Sequence, residues 1–227
     1  AVMRLGVVTD TQDMSGTVLS EVPEFQVAEE ELRAVTESFA GDYMQVPPMY
    51  SALKVNGKKL YELAREGKTV ERKPRPVHFY EIEILDIDFP LVRFRVTCSK
   101  GTYIRTLCHD IGEKLGCGAA METLLRTKVG RFTLDDAITL AQTEEAVRNG
   151  EIEQRILGIE EILAEYPRVC CTKEGDRLLA NGNPLVQALV NAEEKDGWIR
   201  MCNSEGSFAG VYQWDEKRDR YFPVKMF

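Results

Sequence analysis

Lys100, Tyr103 and Arg105 stand close together in Ser99-Lys100-Gly101-Thr102-Tyr103-Ile104-Arg105, between an alternating apolar run and a helical one. A strand-to-helix junction offers unpaired backbone N–H groups and the positive end of a helix dipole, so anions are favoured there. A cation beside an aromatic ring at such a place suits a phosphate and a base. Arg105 falls in the first helical turn, where the dipole disfavours a cation. A carboxylate or phosphate close by would offset that cost and hold the guanidinium in a bidentate pair. Asp10 and Asp13, three apart beside a strand end and flanked by hydroxyls, are the other candidates, for acid or nucleophile work. An Asx-type turn closing a hairpin is the simpler reading of them. His109-Asp110 lies mid-helix, where adjacent side chains diverge and cannot form a catalytic pair. No Ser-His-Asp order, P-loop or dinucleotide fingerprint occurs.

The elements that must position these residues are legible in outline. Arg4–Thr9 and Thr17–Glu21 read as a hairpin around Thr9–Gly16. Ala28–Ala40 is helical, with Leu32, Val35 and Phe39 on one face and Gly41 as the stop. Val46-Pro47-Pro48 breaks regular structure, and residues 47–76 read as a proline-punctuated excursion with a short helix at Lys58–Arg65. Val77–Ile87 and Val92–Cys98 alternate as paired strands. A helix from Tyr103 to Leu115 follows, with Thr102 as N-cap and Gly116 as stop; Ile104, Leu107, Cys108, Ile111 and Leu115 form its apolar stripe. Met121–Arg126 is expected to be helical or a helix-to-strand passage, and Lys128–Phe132 extended. Composition changes after Leu163–Pro167, and a short helix (Lys173–Ala180) and closely spaced short strands beyond it indicate a small barrel. A domain boundary is therefore expected near residue 165. The fold class is α+β, a mixed, mainly antiparallel sheet with flanking helices plus that barrel.

The chain of 227 residues is 44% hydrophobic and 29% charged, enough for a real core, and no apolar run approaches the length of a membrane span. Its six cysteines form no CxxC pair and its two histidines, His78 and His109, lie far apart, so reduced thiols rather than a zinc site or disulfides are expected. Net charge is −8, which taken alone argues against nucleic acid. Locally the balance reverses: Lys54, Lys58, Lys59, Arg65, Lys68, Arg72, Lys73 and Arg75 face only Glu62, Glu66 and Glu71. One basic face on an acidic body is the footprint of a polyanion partner. The opening Ala1–Val8 reads as strand interior and, with no signal peptide, as a cut edge; loss of sheet partners would then expose residues 1–8.

The blocks RLGVVTDTQDMSG (Arg4–Gly16), VPPMYSALKVNGKKLYELAREG (Val46–Gly67), CSKGTYIRTL with LGCGA (Cys98–Ala119) and LLRTKVGRF (Leu124–Phe132) resemble the TruB family of tRNA pseudouridine synthases, in order along nearly the whole chain. The tail FAGVYQWDEKRDRYFPVKMF resembles the end of that family's PUA-type RNA-binding domain. The resemblance implies a cytoplasmic, monomeric tRNA-modifying enzyme with no metal, cofactor or protein partner, acting on uridine 55 of the T-stem-loop. It implies a catalytic domain over 1–165, an RNA-gripping insertion at about 47–76, and a PUA-like domain over 166–227. A Leu-Asp-Pro loop supplies the family's nucleophile, and a Tyr just before the Arg-Leu-Gly block packs on the flipped base; neither residue is among these 227. Arg105 matches the Arg that pairs with the catalytic Asp, Tyr103 lies in the cleft, and Leu124 lines the pocket; Leu125-Arg126 stands where the family has two arginines. Lys54, Lys58, Lys59, Arg65, Arg72, Lys73, Arg75, Lys100, Arg126 and Lys128 are the implied RNA contacts. Arg105 is thus expected to await a carboxylate outside the chain, Asp10 and Asp13 to lie in a non-nucleophilic turn, and the chain alone to be inactive. The alternatives are a non-catalytic tRNA binder or RNA chaperone, and an unrelated hydrolase using Asp10 or Asp13.

Overall fold

The computed structural model describes residues 1–192 and 195–227, and these divide into two compact units, Ala1–Asp136 and Ala137–Phe227. Within the first unit the order is β1 (Val2–Leu5), β2 (Val7–Thr9), β3 (Val18–Glu21), α1 (Glu29–Glu37), β4 (Gly41–Gln45), β5 (Lys54–Val55), β6 (Lys58–Lys59), α2 (Leu60–Arg65), β7 (Arg75–Asp88), β8 (Leu91–Cys98), α3 (Ile104–Leu115), β9 (Ala119–Thr123), β10 (Lys128–Val129) and β11 (Phe132–Thr133). Five strands form the main sheet in the order β4-β7-β8-β1-β9, antiparallel throughout.

Alternation puts Met3, Leu5, Val77, Phe79, Val92 and Phe94 on one face of this sheet, buried with Leu32 of α1 and Leu107, Cys108 and Ile111 of α3. Each such large side chain contributes about 1.5–3 kcal/mol by leaving water. The helix α3 stays close because Gly112 has no side chain: a Cβ there would sit 2.1 Å from the Ala119 nitrogen. Gly116, at φ 74°, ends the helix in the left-handed region as read from sequence.

Several expectations are corrected. The run Arg4–Thr9 is not one strand, because Gly6 (φ 78°) turns the chain from the main sheet into the β2–β3 hairpin; a Cβ at Gly6 would lie 2.6 Å from the Val22 carbonyl oxygen. Met121–Arg126 is not helical. The flank of β1 carries unpaired backbone groups, and Ala119–Thr123 satisfies them as strand β9 in the register Leu5↔Ala119 and Arg4↔Ala120. For the same reason β1 is no exposed edge: it lies between β8 and β9. Thr102 does not cap α3 either; Tyr103 is the capping position, and the Thr102 hydroxyl donates to the Ser99 carbonyl at 2.8 Å.

The second unit holds α4 (Leu140–Arg148), α5 (Ile159–Ile162), β12 (Arg168–Cys170), α6 (Asp176–Ala180), β13 (Leu185–Val186), β14 (Trp198–Cys202), β15 (Phe208–Asp215) and β16 (Arg220–Met226). Its sheet runs β12-β14-β15-β16-β13, with β12 and β14 parallel. Chain flanking the two outer strands meets through an antiparallel bridge at Cys171 and Val190, with Thr172 N–H to Leu189 O and Asn191 N–H to Cys170 O. The core includes Tyr212, Tyr221, Leu179 and Ile199. All six cysteines are free thiols, and no described helix is long and apolar enough to cross a membrane.

Substituting Gly112→Ala overpacks the α3–β9 contact and should cost about 1–3 kcal/mol. The thermal midpoint should drop by at least a few degrees; an unchanged midpoint would show that α3 can move off the turn at Gly118.

Candidate active site

The site begins with the carboxyl end of β8 and the first turn of α3. Gln45, the last residue of β4 and 1% exposed, secures this junction: its side-chain carbonyl accepts from Tyr103 N–H at 2.8 Å and its amide donates to Tyr103 O at 3.0 Å. A buried glutamine thus anchors the backbone of the residue before the helix, while no side chain takes up the capping that Thr102 was expected to do. It fixes where α3 starts and hence where Arg105 points.

Arg105 donates through Nη1 to Asp13 Oδ2 at 3.0 Å, with the two side chains only 21% and 16% exposed. Through Nη2 it donates to the Tyr50 carbonyl oxygen. Arg105 thus has a carboxylate partner within the chain, 92 residues away in sequence, which sequence reading did not pair with it. Coulomb attraction of unit charges near a protein surface is about 4 kcal/mol at 4 Å. The dipole cost of a cation at a helix start is only ~0.3–1 kcal/mol, so the pair decides the conformation.

Backbone bonds put Asp13 there. Met121 N–H donates to Gln12 O and Met14 N–H to Met121 O, both at 3.0 Å, so residues 12–14 run alongside β9 as a short parallel bridge. Gln12 adopts φ 64°, and its side-chain carbonyl accepts from the Thr106 hydroxyl of α3 at 2.7 Å. Asp13 Oδ1 accepts from the Thr11 hydroxyl, the Ser15 hydroxyl and Ser15 N–H. Burial pushes the Asp13 carboxyl up, but these bonds from Ser15 and Thr11, with the Arg105 guanidinium, outweigh it and hold the group below the ordinary carboxylate range. Ionised and with its lone pairs engaged, Asp13 is suited to orienting a guanidinium, not to attack. Asp10 accepts from Thr17 N–H at 2.8 Å and from the Tyr50 hydroxyl at 3.1 Å; that bond to Asp10 raises the Tyr50 phenol.

The remaining candidates divide. Tyr103 is half-buried. Leu124 follows β9 and is 49% exposed. Lys54, Arg65, Lys73, Arg75, Lys100, Arg126 and Lys128 are exposed, although Arg65 also lies over the Tyr61 ring. Lys58 pairs with Glu66 at 3.5 Å and Lys59 donates to the Tyr61 hydroxyl at 3.1 Å. Arg72 turns inward, donating to the Pro47 carbonyl at 3.0 Å, which makes it a brace across the base of the excursion. Sequence reasoning missed Gln45, Tyr50 and the role of Asp13. Hydroxyl neighbours Thr11 and Ser15 were the available signal for Asp13; nothing local marked the other two. Among the described residues no group of three His, Cys, Asp or Glu could hold a metal.

The family described as TruB family pseudouridylate synthase (N terminal domain) matches residues 1–104, and the tRNA pseudouridylate synthase B C-terminal domain matches 105–164. A curated tRNA pseudouridine synthase B of Clostridium tetani is 42% identical over 213 residues, covering 94% of this chain and 72% of that protein. The chain belongs to the TruB family of pseudouridine synthases. The Lachnoclostridium phytofermentans protein of the same name is 48% identical over 205 residues, 84% of this chain and 66% of its own length. The chain thus spans about two thirds of the length of these TruB relatives. A solved Cbf5-Nop10-Gar1 complex contains a chain with TM-score 0.67 at 22% identity, covering all of this chain and 64% of that one; this likeness shows that the TruB sheet and its flanking helices are a shared fold. The Arg105–Asp13 pair links the N-terminal TruB match, which holds Asp13, to the C-terminal one, whose first residue is Arg105.

Because Asp13 titrates below its unfolded value of 3.8, its contribution to stability is complete above that value and is lost as pH falls toward the lower folded one. Asp13→Asn should cost about 1–3 kcal/mol at neutral pH and flatten the acid limb of a denaturation-midpoint profile. Superimposable wild-type and variant profiles in the acid range would remove Asp13 as the linked group.

Proposed function

We propose that the chain serves tRNA modification, the conversion of uridine 55 in the T-loop to pseudouridine, as part of a monomeric cytoplasmic enzyme that uses no metal or cofactor. The observation that carries this reading is the arginine held ready at the start of α3, in a chain 48% and 42% identical to proteins named tRNA pseudouridine synthase B. In the isomerisation the N1–C1′ glycosidic bond breaks, a C5–C1′ bond forms, the C5 proton leaves to solvent and N1 takes up a proton in its place. Arg105 would orient the attacking carboxylate through the N–H groups that Asp13 and Tyr50 leave uncommitted. Tyr103 would contact the flipped base, and Leu124 would line its pocket.

The attacking aspartate of the reading is not among these 227 residues, since no Leu-Asp-Pro segment occurs and Asp13 is engaged. Flipping a stacked base costs a few kcal/mol. Phosphate contacts from the basic excursion and recognition of loop shape offset it. Residues 166–227, read as a PUA-like module, would add a second RNA contact.

The 227-residue chain should bind tRNA without releasing tritium from tRNA labelled at uridine C5. Tritium release would sink the claim that the nucleophile is absent, and no tRNA binding would sink the reading itself. A stable non-catalytic complex formed even when a Leu-Asp-Pro segment is supplied in the same chain would favour the RNA-binder alternative.

Replacing Lys58, Lys59 and Lys73 by Ala should weaken tRNA binding and lower the log-log salt slope by about 0.7–0.9 for each phosphate no longer neutralised. An unchanged slope would show that the excursion does not grip phosphates. Arg72 is left out of this set because its substitution would loosen the excursion's base.

A further inference from the structure

The excursion 46–74 and the active-site arginine share one small set of bonds. Before the excursion, Gln45 is fixed to the Tyr103 backbone. Just inside it, after Pro47-Pro48, the Tyr50 carbonyl oxygen accepts from Arg105 Nη2. The Tyr50 hydroxyl reaches the other way and donates to Asp10 Oδ2 at 3.1 Å, while Asp10 Oδ1 is fixed by Thr17 N–H. Arg72, near the far end, donates to Pro47 O and closes the base. Deeper in, Ser51 is 4% exposed, and Tyr61 N–H donates to Ser51 O while Leu60 N–H donates to Leu53 O. Buried Leu60 and Leu63 of α2 complete this attachment.

A guanidinium rotates easily about its long side chain unless both ends of the fork are engaged. Asp13 engages one. The other is engaged by a backbone carbonyl whose place depends on how the excursion is seated, and the Tyr50 hydroxyl is the side-chain bond that seats it beside Asp10.

We infer that Tyr50 is a positioning residue: through its bond to Asp10 it holds its own carbonyl on Arg105, so that seating of the RNA-gripping excursion sets the direction of the active-site guanidinium. The inference rests on the proposed tRNA reading for the partner, but its geometry belongs to this chain alone. RNA captured by Lys58, Lys59 or Lys73 pulls on a segment whose root is the arginine's second acceptor. Binding and alignment of the site are then one event, and unseating the excursion releases the arginine.

The test uses the whole chain with Tyr50→Phe, which keeps ring and carbonyl and removes only the hydroxyl, and with Asp10→Ala. In chain labelled with 15N-arginine, the Arg105 side-chain signal, identified by its loss in Arg105→Ala, should show faster averaging of its Nη groups in both variants. The Arg4 and Arg200 signals should not change. The double variant should add nothing beyond either single one. Affinity for a tRNA T-stem-loop should fall about three- to tenfold in Tyr50→Phe with its salt slope unchanged, since every phosphate-binding cation is retained. An Arg105 signal that does not respond to Tyr50→Phe overturns the positioning role. Unchanged affinity, or a lower salt slope, overturns the coupling to RNA. If the wild-type chain binds no tRNA, the functional reading fails while the arginine signals still decide the role of Tyr50.

Discussion

A cation at the amino end of a helix is held against the helix dipole, and in this protein that opposition is settled by a half-buried carboxylate 3.0 Å away. The Arg105–Asp13 pair makes demands on several elements. The helix must start at one defined residue, which Gln45 ensures. The hairpin turn must lie against β9, which two backbone bonds ensure. The excursion must return close enough for a carbonyl to reach the guanidinium. Removing one partner of such a pair leaves the other partly buried and unpaired, and this is far costlier than never having had either.

Much of this was legible in the chain. The stripe Leu107, Cys108 and Ile111 and the stop at Gly116 marked α3 within a residue, because helix period and left-handed glycine are local properties. The electrostatic oddity of Arg105 was legible too. Its partner was not, since 92 residues separate Arg105 from Asp13 and no local pattern reports a contact between a turn and a helix that far apart. Met121–Arg126 was misread for a related reason: its strand state is imposed by the open flank of β1, a tertiary demand that overrides weak local preference. The anchoring role of Gln45 at Tyr103 was hidden because glutamine at a strand end ordinarily faces water.

Charge is arranged so that the acidic body and the basic excursion do different work. Net charge is −8, while exposed Lys54 and Lys73 place positive charge on the segment between β4 and β7. Several cations there are already partnered within the protein, Lys58 and Lys68 with Glu66. Such pairs are weak in water and yield readily to a phosphate.

Gln12, Asp13 and Met14 follow β9 through main-chain atoms alone. The attachment of that turn to β9 therefore does not use the Asp13 carboxylate, whose bonds go to Thr11, Ser15 and Arg105. Anchoring and charge are thus carried by different atoms: a substitution at Asp13 would change the charge that faces Arg105 and the bonds inside the turn, while the main-chain bonds of Gln12 and Met14 to β9 remain.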